Sequence, residues 1–415
     1  MSPTATLILR KGADRRLRQG HCWVFSNEVD TKKTPLKQLQ PGGWVDVLSS
    51  SGDYLGSGFA NPHTLISVRL LLLHQTQHRH SKQNAQTTSE SDTEPVYDPE
   101  TLLMERLSAA YKLRSSLFDA PWYRLVHAEG DLLPGLIVDR YDSVLMVQIT
   151  TAGLEHHRKA ICDHLAGLSG CKTVHLANRV ASRELENLSL DEETPVGQLP
   201  DQLTVNEQQC EFKVASGNSQ KTGWFYDHRD NRALTANVAR GKRVLDVFCY
   251  VGSWSITAAV AGADSVVAID SSDAAITGLR DNAELNGVAD KIRPIVADAI
   301  EALKALQRDG EMFDVVILDP PAFIKRKKDY DKGVQHYELL NRLACRLLAP
   351  EGMLITASCS QALPEDALTA IARRAAVKRG GNLQVLHRLT QAPDHPVLAG
   401  VPETHYLKGL MARIT

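Results

Sequence analysis

The sequence predicts a multidomain α/β chain: a β-rich start, a small central α+β module, and a doubly wound, mostly parallel sheet whose last strand returns antiparallel. Three observations carry this. "GGWVDVLSSSGDYLGSGFANPHTLISVRLLLL" reads as strands broken by a turn and by Asn-Pro. From about residue 220, the apolar runs "RVLDVF", "SVVAID", "IRPIVAD", "FDVVILD" and "GMLITASCS" alternate with helical stretches, the rhythm of a parallel sheet with crossover helices. The closing pair "LQVLHRL" and "HYLKGLMARI" is joined by a Pro- and Gly-rich connection too short for a helix, so its second member should run antiparallel.

At 415 residues the chain is long enough for two or three domains, each with its own core. The pattern divides it into residues 1–75 (β-rich), 76–97 (linker), 98–200 (central α+β) and 201–415 (the wound sheet). Residues 74–97 are polar and poor in large apolar groups, too little to offset the entropy of ordering, and read as a mobile linker. Asp98 is an N-cap, Pro99 suits the first helical position, and Glu100 suits the positive helix end. Residues 203–216 read as a hairpin leading into the last domain.

The net charge of −2 excludes nucleic-acid binding by overall charge and leaves it to local patches. No run of about 18 apolar residues predicts a membrane helix. The start lacks an apolar core followed by a cleavage site, which argues against secretion. Seven scattered cysteines without C-x-x-C fit reduced thiols in a cytosol and predict no metal site.

In a doubly wound sheet, ligands bind beyond the carboxyl ends of the strands, at the switch point. Asp246, Asp270, Asp298 and Asp319 fall at or near such ends; the alternative is that each caps the next helix. The first turn, "DVFCYVGSWS", keeps only Gly252, with Phe248 and Tyr250 where a dinucleotide loop would have glycines. That argues against NAD and against close phosphate approach. Asp270 is placed to take both ribose hydroxyls, and Asp298 with Ala299 to meet an adenine edge. The combined reading is S-adenosylmethionine.

"LDPPAFIKRKK" adds a rigid turn, since proline fixes φ and restricts the residue before it. Asp319 can hydrogen-bond a flat heterocycle held by Pro320 and Pro321. Phe323 either covers a face of that ring or packs in the core. Cys359, between two serines at the end of the neighbouring strand, is read as a nucleophile that attacks C6 of a pyrimidine and makes C5 reactive. Otherwise it is a small buried hydrophobe. The other cysteines, Cys249 included, are read as structural.

These residues resemble the class I methyltransferases that make 5-methylcytidine in large-subunit (23S) ribosomal RNA. The stretches that carry the resemblance are "GHCWVF", "EGDLLPGLIVDRYD", "KTGWFYDHRDNR", "LDVFCYVGSWS", "DNAELNG", "LDPPAF", "SCS" and "DHPVLAGVPETHYLKGL". It implies a PUA domain, a small central domain and a Rossmann-like catalytic domain. It implies Cys359 as nucleophile and Asp319 as the acid that orients the base. It places Phe225, Asp227, Arg229 and Arg232 beside the donor, and Ser271 and Asn286 among the donor residues. The chain departs from the pattern at Cys22, where proline is usual, and at "APEG" (349–352), which replaces a double glycine. Another group of 5-methylcytosine enzymes carries a second cysteine where this chain has Pro321, which leaves open the group that removes the C5 proton.

Two cationic islands, with Arg15, Arg16 and Arg18 in one and Lys325, Arg326, Lys327 and Lys328 in the other, are expected to hold RNA phosphates. The expected partner is naked or partly assembled ribosomal RNA in the cytoplasm, with no membrane, no metal and a homodimer left open. Two other readings stay open here: a guanine-nitrogen methyltransferase without covalent catalysis, and a donor-binding RNA assembly factor without turnover.

Overall fold

In the computed structural model, the described residues are 5–73, 98–217 and 223–415, so the expected linker lies outside them. The chain divides into two compact units. One takes residues 1–200, 220–222 and 394–404, and the other 201–219, 223–393 and 405–415.

The first unit opens with β1 (Ala5–Ile8), helix α1 (Arg15–Arg18), β2 (Trp23–Phe25), β3 (Trp44–Leu48), β4 (Tyr54–Ala60) and β5 (Ile66–Leu73). They form a sheet in the order β1-β3-β4-β5-β2. β3 alternates buried and half-buried residues, as a strand with one covered face does. A Cβ at Gly58 would lie 2.1 Å from Arg69 O, so β4 approaches β5 only because that side chain is missing. After α2 (Pro99–Leu117), capped by Asp98 Oδ2 accepting from Thr101 N at 2.9 Å, come β6 (Trp122–His127), β7 (Leu136–Tyr141), β8 (Val144–Ile149), α3 (Arg158–Ser169), β9 (Thr173–Ala177) and β10 (Glu192–Val196). Their sheet runs β10-β9-β8-β7-β6. Phe59, Leu71 and Leu72 of the first sheet join the apolar core of this second module, which also holds Leu103 and Leu107 of α2. Fully buried Arg114 binds Asp131 through two contacts, at 2.5 and 2.7 Å, and the Asp394 carbonyl at 2.8 Å. Through that last bond the arginine ties Asp394, the first residue of segment 394–404, into this unit.

The second unit begins with the hairpin β11 (Gln202–Glu207) and β12 (Cys210–Ala215). Then follow α4 (Arg229–Ala239), β13 (Arg243–Val247), α5 (Ser253–Val260), β14 (Ser265–Asp270), α6 (Asp273–Leu285), β15 (Ile292–Val296), α7 (Ala299–Arg308), β16 (Phe313–Leu318), α8 (Tyr330–Leu347), β17 (Leu348–Ser358), α9 (Glu365–Arg379), β18 (Leu383–Thr390) and β19 (Lys408–Ile414). The seven-stranded sheet has the order β15-β14-β13-β16-β17-β19-β18. Its first five strands are parallel, and β19 runs antiparallel to both neighbours. Strand order reverses at β13, so the carboxyl ends of β13, β14 and β16 form the switch point. The inner strands β13, β14 and β16 bury both faces and read as apolar runs for that reason, whereas the edge strands β15 and β18 are more exposed.

Candidate active site

The turn after β13 is held in a strained form. Phe248 and Tyr250 adopt φ of 71° and 50°, left-handed values that cost a residue with a Cβ on the order of 1–3 kcal/mol. Hydrogen bonds sustain it. Phe248 N and Cys249 N donate to Ile269 O at 2.9 and 3.0 Å, and Tyr250 N donates to Asp270 Oδ2 at 3.0 Å. The other oxygen of Asp270 accepts from Ser272 N at 2.9 Å. Gly252 has φ of 88°, and a Cβ there would meet Leu279 at 2.9 Å and Ile256 at 3.0 Å. This glycine serves close packing against α6.

Asp246 is fully buried. Its Oδ2 accepts from Ser255 Oγ at 2.6 Å, while Oδ1 is buried without a partner. Burial pushes its carboxyl up to about 7; the Ser255 bond opposes this, and the charges of Asp319 and Asp270 add to it. An orphaned carboxylate oxygen, the Asp270 carboxylate and a turn without a phosphate-binding glycine loop fit a ligand that brings N–H and O–H donors. S-adenosylmethionine is such a ligand, and Asp246, Asp270 and the turn backbone are the residues that would hold it.

Several expected donor residues have other work. Arg232 is 1% exposed and paired bidentately with Glu207 at 2.5 and 2.8 Å, with a third bond to Phe225 O at 3.0 Å. It is a structural ion pair, because a guanidinium that deep needs its own carboxylate. Arg229 lies 3.7 Å from Glu207. Asn286 is likewise engaged: its Oδ1 accepts from Glu211 N at 3.0 Å and its Nδ2 donates to Glu211 O at 2.6 Å. One turn earlier Asn282 does the same to Lys213, at 2.8 and 3.1 Å. Helical spacing of four thus matches strand spacing of two, and the two amides act as an extra edge strand that docks β12 on α6. Asp298 Oδ1 caps α7 from Ile300 N and Glu301 N, at 2.9 and 3.2 Å. Ala299 packs in the core, and Ser271 is exposed just before the α6 cap. Asp227 Oδ2 accepts from Tyr406 O–H at 2.5 Å. Phe225 meets the Tyr250 ring edge-on at 5.7 Å.

Asp319, at the end of β16, is held by two groups that sequence reasoning missed. Trp254 Nε1 donates to Oδ2 at 3.1 Å, and His228 Nε2 lies 3.2 Å from Oδ1. Burial pushes His228 down, but the Asp319 charge and hydrogen bond outweigh it and raise the imidazole. Burial pushes Asp319 up, and His228 and Trp254 reverse that, leaving it below its usual range. Asn231 Nδ2, 3.0 Å from His228 Nδ1, suits a neutral ring instead. The carboxylate governs, since it presents a full charge and the amide only a dipole.

Around Cys359 the chain forms a clamp. Ser358 Oγ donates to Tyr337 O–H at 2.8 Å, Tyr337 O–H meets Ser360 Oγ at 3.0 Å, and Ile324 N donates to Ser360 Oγ at 3.2 Å. The thiol strand end is thereby tied to the loop of Pro320, Pro321 and Phe323. Six of the seven cysteines are buried; Cys359 alone is half-buried. Phe323 is half-buried against Phe248, Tyr337 and His336, so the packing role accounts for much of its ring.

The islands differ. Lys325, Arg326, Lys327 and Lys328 are all exposed. Arg16 pairs bidentately with Glu28 at 2.7 and 2.9 Å, and Arg18 with Asp14 and Asp53 at 2.6 and 2.7 Å, so those two charges are largely neutralised; Arg15 is exposed. Among the described residues no cluster of metal ligands occurs, and no helix is long and apolar enough to cross a membrane.

Comparison with known proteins places this geometry. Residues 7–72 match a PUA-like domain, and residues 192–413 match the S-adenosylmethionine-dependent methyltransferase family. A methyltransferase from Streptococcus mutans, 18% identical, superposes with a TM-score of 0.80 over 99% of this chain and 100% of its own. A second solved methyltransferase, complexed with S-adenosylhomocysteine and 19% identical, gives 0.81 over the same shares. These two share the fold. Ribosomal RNA large subunit methyltransferase I from Pseudoalteromonas atlantica is 32% identical over 99% of this chain and 100% of its own length. Its namesake from Shewanella amazonensis is 35% identical over 98% of each. The site therefore belongs to an S-adenosylmethionine-dependent methyltransferase, and the chain is a member of the ribosomal RNA large subunit methyltransferase I family.

Proposed function

We propose that the chain methylates C5 of a cytosine in large-subunit ribosomal RNA, with Cys359 as nucleophile. The ribosomal target follows the names its relatives carry. The atom and the thiol chemistry rest on one observation above all: the half-exposed thiol is clamped at the end of β17, beside the strand that presents Asp319. In this reading the sulfur lone pair forms a bond to C6, and the C5–C6 π pair makes C5 a nucleophile. S-adenosylmethionine supplies an electrophilic methyl group. Loss of the C5 proton to a base then restores the double bond, breaks S–C6 and returns the thiolate. Asp319 orients the ring: each oxygen already accepts one protein bond and keeps a lone pair for another. The Pro320-Pro321 turn fixes that carboxylate, and the exposed run Lys325 to Lys328 holds the flanking phosphates. The cytosine must leave its stack to reach the thiol, at about a few kcal/mol.

Large-subunit RNA carrying 5-fluorocytosine is the test. Fluorine at C5 cannot leave as a proton does, so wild type should form an adduct that survives denaturing electrophoresis and needs the donor. Cys359→Ser should form none and transfer almost no methyl. An active Cys359→Ser chain, or an adduct on another cysteine, overturns the reading and favours methylation of a guanine nitrogen.

A further inference from the structure

We infer that Lys408 is the charge that keeps Cys359 a thiolate; this rests on Cys359 being the nucleophile. In the β17–β19 register Lys408 stands opposite Ser358, and its Nζ donates to Ser360 O at 2.6 Å. The ammonium thus reaches from the residue before the cysteine to the residue after it. Lys408 is 4% exposed. A cation this deep costs several kcal/mol unless an anion compensates it. Among the described residues no carboxylate lies within ion-pair distance of Nζ, and its hydrogen bond to Ser360 O goes to a neutral carbonyl. Two groups act on its charge favourably, Cys359 and Glu365, against the burial that pushes its proton off. Glu365 is already paired with Arg388.

Tyr337 also faces Cys359. Burial pushes this phenol up, so it stays neutral and cannot serve as the counter-charge. The N-terminus of α9 lies just beyond, but Glu365 and Asp366 occupy its first turn and offset its positive end. An ammonium that lacks a carboxylate partner therefore bridges the residues on either side of a thiol that must become an anion. In the step assigned here the S–H bond breaks, its electron pair stays on sulfur and the proton passes to water. Lys408 keeps its own proton throughout. Lys408 is a positioning residue: it acts through the sulfur and not on the RNA.

The test is the pH dependence of Cys359 alkylation by iodoacetamide in the full chain, read by mass spectrometry of the Cys359 peptide. Lys408→Met keeps length and packing without charge, and should move the midpoint up by about one pH unit or more, the size of effect expected from removing an adjacent opposite charge. Alkylation at neutral pH should slow by about tenfold. Lys408→Arg should restore most of the shift, and donor affinity, which reports the fold, should hold in all three. Identical midpoints with donor binding intact overturn the inference. Should Lys408→Met fail to fold, the reciprocal measurement decides: in Cys359→Ser the Lys408 Cε resonance should titrate at lower pH than in wild type, and an unchanged midpoint overturns it. The nucleophile reading fails separately, by the absence of a 5-fluorocytosine adduct while the alkylation shift persists.

Discussion

The hydroxyl of Ser360 accepts a hydrogen bond from the backbone amide of Ile324 at 3.2 Å. Two stretches 36 residues apart, the thiol strand end and the Asp-Pro-Pro loop, are thereby one rigid piece. Tyr337 completes it from α8.

Tyr337→Phe should uncouple that piece. It leaves the buried Ser358 and Ser360 hydroxyls without their shared partner, at a cost on the order of 1–3 kcal/mol. Chemical denaturation should show the loss. Methyl transfer should fall while donor affinity holds, because no donor residue is touched. Unchanged stability would mean that the phenol holds nothing.

Asp270→Ala should weaken donor binding by on the order of 2–4 kcal/mol, through two lost charge-assisted hydrogen bonds. Asp270 also holds the amide of strained Tyr250, so Asp270→Asn, which keeps an acceptor, should lose less. Calorimetric titration separates the cases, and equal affinity in wild type and Asp270→Ala excludes the assignment.

Asp246 predicts a pH effect. Unfolded, its carboxyl titrates near 3.8; folded, at about 7. Between these values the folded chain holds the extra proton, so this group's contribution to stability falls as pH rises. The slope reaches up to about 1.4 kcal/mol per pH unit. Asp246→Asn, with the same shape and no charge, should therefore gain stability relative to wild type across that window and level off above about 7. Denaturation midpoints of donor-free protein across pH check this; a flat difference would remove the burial effect.

Neutralising Lys325 to Lys328 should weaken RNA binding and flatten its salt dependence by roughly 0.7 per lost contact on single strands. Arg16 and Arg18, already paired with carboxylates, should contribute less than Arg15. Filter binding at several salt concentrations measures both. An unaltered slope after all islands are neutralised would reduce them to solvated surface.

Much of the fold was legible because strand runs and turn residues speak locally. "RVLDVF" and its successors are apolar on both faces, and Asp98 before Pro99 marks a helix start whatever surrounds it. The thiol stood out for a similar reason: two serines at the end of an apolar strand are a local signal. Partners distant in sequence were not legible. His228 lies in a quoted stretch, yet nothing there says that it meets Asp319, 91 positions away by number. Arg232 and Asn286 show the converse. Each sits in a motif beside the donor turn, and each is taken by the β11–β12 hairpin, whose docking only three dimensions reveal. Lys408 reads as one more strand cation until the register sets it opposite Ser358.

The place of β19 has a consequence for how the enzyme is made. This strand is synthesised after β18 yet lies between β18 and β17. As the nascent chain leaves the ribosome, β17 and β18 wait with unpaired edges, surfaces that recruit other chains. Lys408 arrives on that same inserted strand. The Ser360 carbonyl at the end of β17 therefore gains its Lys408 partner only at the step that closes the sheet, and a chain stalled before β19 has neither a sealed edge nor that contact.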